Sequence, residues 1–490
     1  MWQEAWLMSF TRFDRYVERN AQSFIERLRA LCRMPSVAAH GTGMRNVADT
    51  VEQMMQRAGG GTRLFRLGSG YPIIYAEFGA GAHCFLVYGH YDVQPIGSLT
   101  EWTSGPFAAQ IIGDKLYARG AANSKGDLVA RLAAIEAYQK SFGKLPFCLR
   151  YIVEGEDALG SPSLYQFAAE HTELLRAHGA IWDDGYIDAN GRLVISLGFK
   201  GIAFVELRAH GARTDIHSKW GGIVPNPAWR LVHALATLLS PEGEITVDGY
   251  MSHVAPLDEE DLRLLASVEL DEEGLKREFR IANWARGLAG PELVRELVFG
   301  PTCTICGLQT GHAETGPRTA LPGTAVARVD FRLVPNLTPE LAISLLREHL
   351  DRRGFDDIEI TVLARAPVAK SSARSVVARA AVESVTEVYG RDPVIYPLDP
   401  ASGPVGALCG AVQPPTPVVS FGIGYEGSNP HGPDENIRLE DFIRGIKYFG
   451  RVIHQLGRLA QEASAEKETE TALKLQRNRA LSVKGANHED

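Results

Sequence analysis

Between residues 71 and 184 short apolar runs alternate with longer helical ones, and this alternation constrains the fold more than any other feature. The runs YPIIYAEF (71–78), HCFLVYGH (83–90), FCLRYIVEG (147–155) and HGAIWDD (178–184) have the length and composition of buried strands. Between them, LVARLAAIEAYQ (128–139) and residues 162–177 carry apolar positions at helical spacing. Strands alternating with helices predict an α/β fold, a mostly parallel sheet with helices on both faces. Such sheets gather ligands at the carboxyl ends of their strands. GHYDVQP (89–95), ANSKG (122–126), EGED (154–157) and WDD (182–184) all fall at such ends.

The pattern changes near residue 200. GIAFVELRAHG (201–211), TAVARVDFRLVP (324–335) and IEITVLARAP (358–367) read as strands of a separate sheet, with helices at 227–240 and 338–352. From about residue 370 the first pattern returns: a helix over 371–390, then VIYPLD, then TPVVSFGIG, then a helix from 439. The expected organisation is one unit over 1–199 and 370–462, interrupted by an inserted α+β domain at 200–369. Amphipathic helices are expected at 13–32 and 46–58. Residues 463–490 are highly charged and predict a tail that is partly disordered.

With 490 residues the chain exceeds what one core supports. A net charge of −8 argues against a nucleic-acid surface, and no apolar run reaches membrane length. The amino-terminal segment lacks a basic stretch followed by an apolar one, which predicts a cytoplasmic protein without a secretory signal. Of the six cysteines only Cys303 and Cys306 form a C-x-x-C. With no second pair to complete a zinc knot, they read as partly buried thiols.

His90 and Asp92 stand two apart at the end of a buried run, so their side chains point the same way. An aspartate so placed can accept one ring N–H and leave the other nitrogen for a metal. A strand-end histidine held for structure alone is the plainer alternative. Glu154, Glu156 and Asp157 crowd negative charge that a cation or a shared proton would relieve, and a solvated loop would explain them equally. Asp183 and Asp184 close another run, and His431 lies in a Gly/Pro-rich loop, GSNPHGPDENIRLEDF (427–442). His217, in TDIHSKWGGIVPNPAWRL, and Arg332, in DFRLVP, could face a developing oxyanion and a carboxylate, or simply solvent.

Taken in order, GHYDVQP, ARGAANSKG, VEGED with LGSPS, HS with WGG and VPNP, FRLVP and NPHGPDENI resemble the co-catalytic zinc aminoacylase and peptidase family. That family includes carnosine dipeptidases, carboxypeptidase G, acetylornithine deacetylase and succinyl-diaminopimelate desuccinylase, and the dipeptidase-like branch is the most similar. The resemblance implies a zinc aminopeptidase-like catalytic domain with two zinc ions and an inserted lid that often mediates dimerisation, hence a homodimer. It implies that His90 and Asp183 bind one metal, that Asp92 supports His90, and that His431 binds the other metal. Asn123 falls where an aspartate bridges both ions, beside a peptide bond to the next residue that is expected to be cis. Asp157 falls at the general base, normally glutamate, and Ala158 at a further metal-binding glutamate. His217 and Arg332 match residues that meet the transition state and the substrate carboxylate. Ser402, in PASGPVGAL (400–408), matches a substrate-holding loop.

The departures matter. Asn123 carries an uncharged amide and Ala158 no donor at all, which predicts a weakened second metal position. One zinc, with manganese or cobalt as substitutes, is expected on His90, Asp183 and a third donor such as Asn123 or water. Glu156 or Asp184 standing in as a ligand is a second outcome. The expected function is metal-dependent hydrolysis of amide bonds, in peptides or N-acyl amino acids, within small carboxylate-bearing substrates. The alternative is a relative that has lost catalysis and binds a peptide or a partner.

Overall fold

In the computed structural model, which describes residues 2–312 and 315–485, with side chains at 10–312 and 315–465, the alternating runs form one eight-stranded sheet. Its order is Gly61–Phe65, Ile73–Phe78, Cys148–Glu154, Cys84–His90, Ala180–Trp182, Val418–Ser420, Val194–Ser196, Val394–Tyr396. From Cys148–Glu154 to Val418–Ser420 the neighbours run parallel. Antiparallel pairs flank this centre on both sides. The reversal has a simple cause near Phe78: residues 79–83 are too few to carry a crossover helix.

Side chains alternate across the central strands. Phe85 and Val87 pack against the helices Trp2–Cys32, Lys125–Phe142 and the first part of Leu439–Gly485. Leu86 and Tyr88 pack on the other face, against Pro162–Glu170, Thr172–Leu175 and Val405–Cys409. The helix Lys125–Phe142 is buried on nearly every side, so its polar residues need partners. Lys125 Nζ donates to the carbonyls of Leu31 and Met34. Arg131 donates to the carbonyls of Tyr88, Trp182 and Phe421, tying together the ends of neighbouring parallel strands.

A second, antiparallel sheet has the order Thr302–Thr310, Thr324–Leu333, Gly201–His210, Glu359–Ala366. Burial along Gly201–His210 alternates, one face lying on a core with Pro227–Leu235 and Pro339–Arg352. That core also takes in Val194, Val394, Tyr396 and Leu398 from the edge of the large sheet. Cys303 and Cys306 lie on the strand Thr302–Thr310, which is interrupted by a bulge; Cys306 is exposed, and both are free. The helix expected over 371–390 is split into Val376–Glu383 and Thr386–Tyr389. The helix Leu439–Gly485 continues through the segment expected to be a disordered tail, of which residues 486–490 lie outside the described residues. Among the described residues no helix is long and apolar enough to cross a membrane.

Candidate metal centre

The central strands deliver His90 and Asp183 at their carboxyl ends, with Asp157 just beyond Cys148–Glu154. His90 is buried, and its Nδ1 lies 3.1 Å from both the carbonyl and Oδ1 of Asp92. With two acceptors there Nδ1 carries the proton, so Nε2 is the nitrogen left to bind. Asp92 is fully buried and also accepts the backbone N–H groups of Asp157 at 3.3 Å and Ala158 at 2.9 Å. One carboxylate thus orients both the imidazole and the turn that carries Asp157.

His90 Nε2 faces Asp157 Oδ2 at 3.8 Å. The Tyr88 hydroxyl lies 2.7 Å from Glu154 Oε1 and 3.3 Å from Asp157 Oδ1, and its ring stacks on Trp182 at 3.7 Å. Burial opposes charge on His90, but the carboxylates of Asp157, Asp92 and Asp183 outweigh it and hold the imidazole well above its usual range. Burial pushes Asp157 up to about 6 despite the counteracting His90. A ring nitrogen and a carboxylate oxygen facing each other call for a proton or a cation between them.

Ser124 Oγ donates to Asp183 Oδ2 at 2.6 Å, and the expected cis peptide between Asn123 and Ser124 is present. Asn123 Oδ1 lies 3.2 Å from His431 Nε2. Burial, with His90 and Arg119 nearby, holds His431 below its usual range, so it offers a neutral ring. Arg119 fixes this loop by donating to the carbonyls of His431 at 2.9 Å and Pro95 at 3.1 Å. It also pairs with Glu435 at 2.9 Å. Glu435 in turn accepts the N–H groups of Gly120, Ala122 and Asn123. His90, Asn123, Asp157, Asp183 and His431 therefore converge from distant segments.

Sequence reasoning missed Arg119 and Glu435, although both lie inside quoted motifs, ARGAANSKG and NPHGPDENI. Other expectations do not join the group. Glu156 is no substitute ligand, because Oε1 accepts the N–H of Tyr71 and Oε2 that of Ser163, in the first turn of Pro162–Glu170. Asp184 lines a neighbouring cavity instead. His217 is exposed, its Nδ1 accepting the N–H of Lys219, while Arg332 pairs with Asp330. Ser402 Oγ donates to the carbonyl of Gly201. Among the described residues no hydrogen bond or ion pair links His217, Arg332 or Ser402 to the His90 group; each is held by a neighbour away from it.

Donor chemistry decides what this group suits. Among the described residues no three His, Cys, Asp or Glu side chains already stand at ligating spacing. The position at His90 nevertheless offers Nε2 with Asp157 and Asp183 beside it, and a divalent ion taking the place of the Nε2 proton fits there. The position at His431 faces the uncharged amide of Asn123, and the place of the further metal-binding glutamate is taken by Ala158, which has no donor, so a second ion does not fit. Replacing Asp92 with alanine is expected to lower zinc affinity about 10–100-fold by freeing the His90 ring. Calorimetric titration with zinc checks this, and an unchanged affinity would show that His90 needs no such support.

An α/β sheet with a histidine and carboxylates at its strand ends is the arrangement of a metallohydrolase. The family model "Peptidase family M20/M25/M40" matches residues 86–455, and the chain belongs to that family, which implies a divalent metal, typically zinc. Among solved structures it is similar to the M20 family metallo-carboxypeptidase Sso-CP2 from Sulfolobus solfataricus. That match has 32% identity and a TM-score of 0.85, over 89% of this chain and 99% of the other. It is 26% identical over 400 residues to the Beta-Ala-His dipeptidase of Rattus norvegicus, covering 79% of this chain and 80% of that protein. It is 24% identical over 476 residues to the Cys-Gly metallodipeptidase dug1 of Schizosaccharomyces pombe, covering 92% and 98%.

Proposed function

We propose that this chain hydrolyses one amide bond in a small substrate with a free carboxylate, a dipeptide or N-acyl amino acid, using a single divalent ion at His90. The observation that carries this reading is the Asp92-held His90, whose Nε2 faces Asp157 with Asp183 alongside. Relatives named as dipeptidases and a metallo-carboxypeptidase support the substrate class. The comparisons lend no support to a non-catalytic binder.

His90 and Asp183 would hold the ion, which when bound would acidify a water and polarise the amide carbonyl. Asp157 is placed to take a proton from the attacking water and return it to the departing amine nitrogen. Its reach is one methylene shorter than that of glutamate, and Asp92 and Tyr88 keep it from swinging away. Asn123, held by His431 and Glu435, forms the wall opposite. His217, Arg332 and Ser402 belong to the substrate side of this proposal and act when the lid, residues 200–369, closes.

A homodimer through the lid belongs to the same reading, supported by Ile305, Leu308, Val362 and Leu363 exposed on its sheet. So does a cytoplasmic location, which suits the free thiols of Cys32, Cys84, Cys148 and Cys409. The test is a panel of dipeptides and N-acyl amino acids assayed with zinc, manganese or cobalt. Turnover lost on chelation and restored by metal is the expected result. No turnover with any of the three metals would overturn the proposal.

A further inference from the structure

The parallel strands Cys84–His90 and Cys148–Glu154 reach the metal centre at one end and begin with a cysteine each at the other. Cys84 and Cys148 are direct register partners, as are His90 and Glu154 six residues further on. Six steps of about 3.3 Å put the cysteines roughly 20 Å from His90. Register partners in a sheet point to the same face, and here the two thiols meet. Cys84 Sγ lies 3.0 Å from Cys148 Sγ and donates to it. No motif marks this pair, because 64 positions separate its members.

The surroundings set this pair apart from the other cysteines. Burial pushes Cys32, Cys303 and Cys409 up to about 12, which makes them poor nucleophiles. Cys148 moves the other way. The hydrogen bond from Cys84 holds its thiol below the ordinary value, with help from Arg150 and against burial. The same hydrogen bond, together with burial, pushes Cys84 up. Arg150 follows Cys148 by two residues and so stands on the same side of the strand. Its Nη1 donates to the carbonyls of Glu173, Leu174 and Arg176. Its buried Nε has no hydrogen-bond partner among the described residues, Glu77 Oε2 being 3.6 Å away. A cationic N–H donor left over beside a thiol is the partner that a thiolate needs. Both cysteines keep some contact with solvent, 9% for Cys84 and 7% for Cys148, whereas Cys32 has none.

We infer that Cys84 and Cys148 are a redox-modification site, closing to a reversible disulfide when the protein meets a peroxide. The thiolate of Cys148 attacks one peroxide oxygen and the O–O bond breaks. A sulfenic acid is left on Cys148, and the departing hydroxide takes up the proton that Cys148 lost, leaving as water. Cys84 then gives up its proton and attacks the Cys148 sulfur. The S–S bond forms, and the sulfenic oxygen leaves with that proton as a second water. Two electrons pass from the sulfurs to the peroxide oxygens. Because the second thiol is already in contact, it captures the sulfenic acid before further peroxide can drive it to the irreversible acids. A dithiol reductant reopens the bond by exchange. The chemistry is independent of the proposed hydrolysis.

Hydrogen peroxide added to the full-length protein tests this, with remaining thiols blocked by N-ethylmaleimide and unreduced peptides read by mass spectrometry. The expected product is a peptide pair joining Cys84 to Cys148, lighter than the sum of its parts by two hydrogens. Dithiothreitol should return it to two free thiols. In Cys84→Ser the sulfenic acid should persist at Cys148 and react with dimedone. In Cys148→Ser no dimedone adduct should form at Cys84. The wild-type cross-link is read without either variant, so it decides the matter even where a variant fails to fold. Peroxide that oxidises the exposed Cys306 while Cys84 and Cys148 stay reduced overturns the inference. So does oxidation of either cysteine without the cross-link, or a cross-link that forms only in denaturant.

Discussion

Replacing Asn123 with aspartate and Ala158 with glutamate together is expected to raise bound zinc from at most one ion per chain to two, and turnover by about 10²-fold or more. The pocket that would receive the second ion is otherwise in place. His431 already points Nε2 at Oδ1 of residue 123, 3.2 Å away. The N–H of Ala158 is held by Asp92 at 2.9 Å, which fixes the direction in which a glutamate there would leave the backbone. Either change alone supplies one carboxylate where the ion's charge needs both. The apo and loaded proteins should respond in opposite senses. New carboxylates beside Asp157 and Asp183 repel one another without metal, so the melting temperature of apo protein should fall. Two bound ions should raise it above wild type. Elemental analysis, melting curves and the dipeptide panel check these statements. Unchanged metal content and rate in the double variant would refute the account of why this site departs from a two-ion centre.

How much of this was legible in the sequence depended on the range of the forces involved. His90 and Asp92 could be read as a unit because the two-residue period of a strand places them on one side, and their contact is local. The helix after Gly126 was readable from its apolar spacing, but not that it is buried all round, with Arg131 tying together the carbonyls of Tyr88, Trp182 and Phe421. The strand Thr302–Thr310 escaped notice because neither of its faces is well buried, so no alternation marks it. The charged segment after residue 463 has a composition that predicts disorder. Its alanine, glutamate, lysine and leucine content is equally that of a strong helix former, and the helix wins. At the site, family motifs located the candidate donors, but only coordinates reveal that Glu156 is consumed by two backbone N–H groups.

Glu435 is the extreme case of a residue that sequence reading passes over, and its removal should have the largest effect on stability. Glu435→Ala is expected to cost about 3–5 kcal/mol, the range for breaking a buried ion pair from one side. Its partner Arg119 lies 316 positions away in the chain, and the side chains of the pair are 2% and 1% exposed. Alanine would leave that guanidinium buried with only the carbonyls of Pro95 and His431 as acceptors. It would also strand the N–H groups of Gly120, Ala122 and Asn123, each now within 3.0 Å of a Glu435 oxygen. Those N–H groups shape the turn that presents Asn123, and the Arg119 bond holds the His431 loop, so the damage would spread to both walls of the second metal position. Arg119→Met should cost less, because Glu435 would keep its backbone donors. Denaturant titration of the two variants gives both free energies. A Glu435→Ala loss below about 1 kcal/mol, within the range of an exposed pair, would show that solvent reaches this pair and that the turn is held by something else.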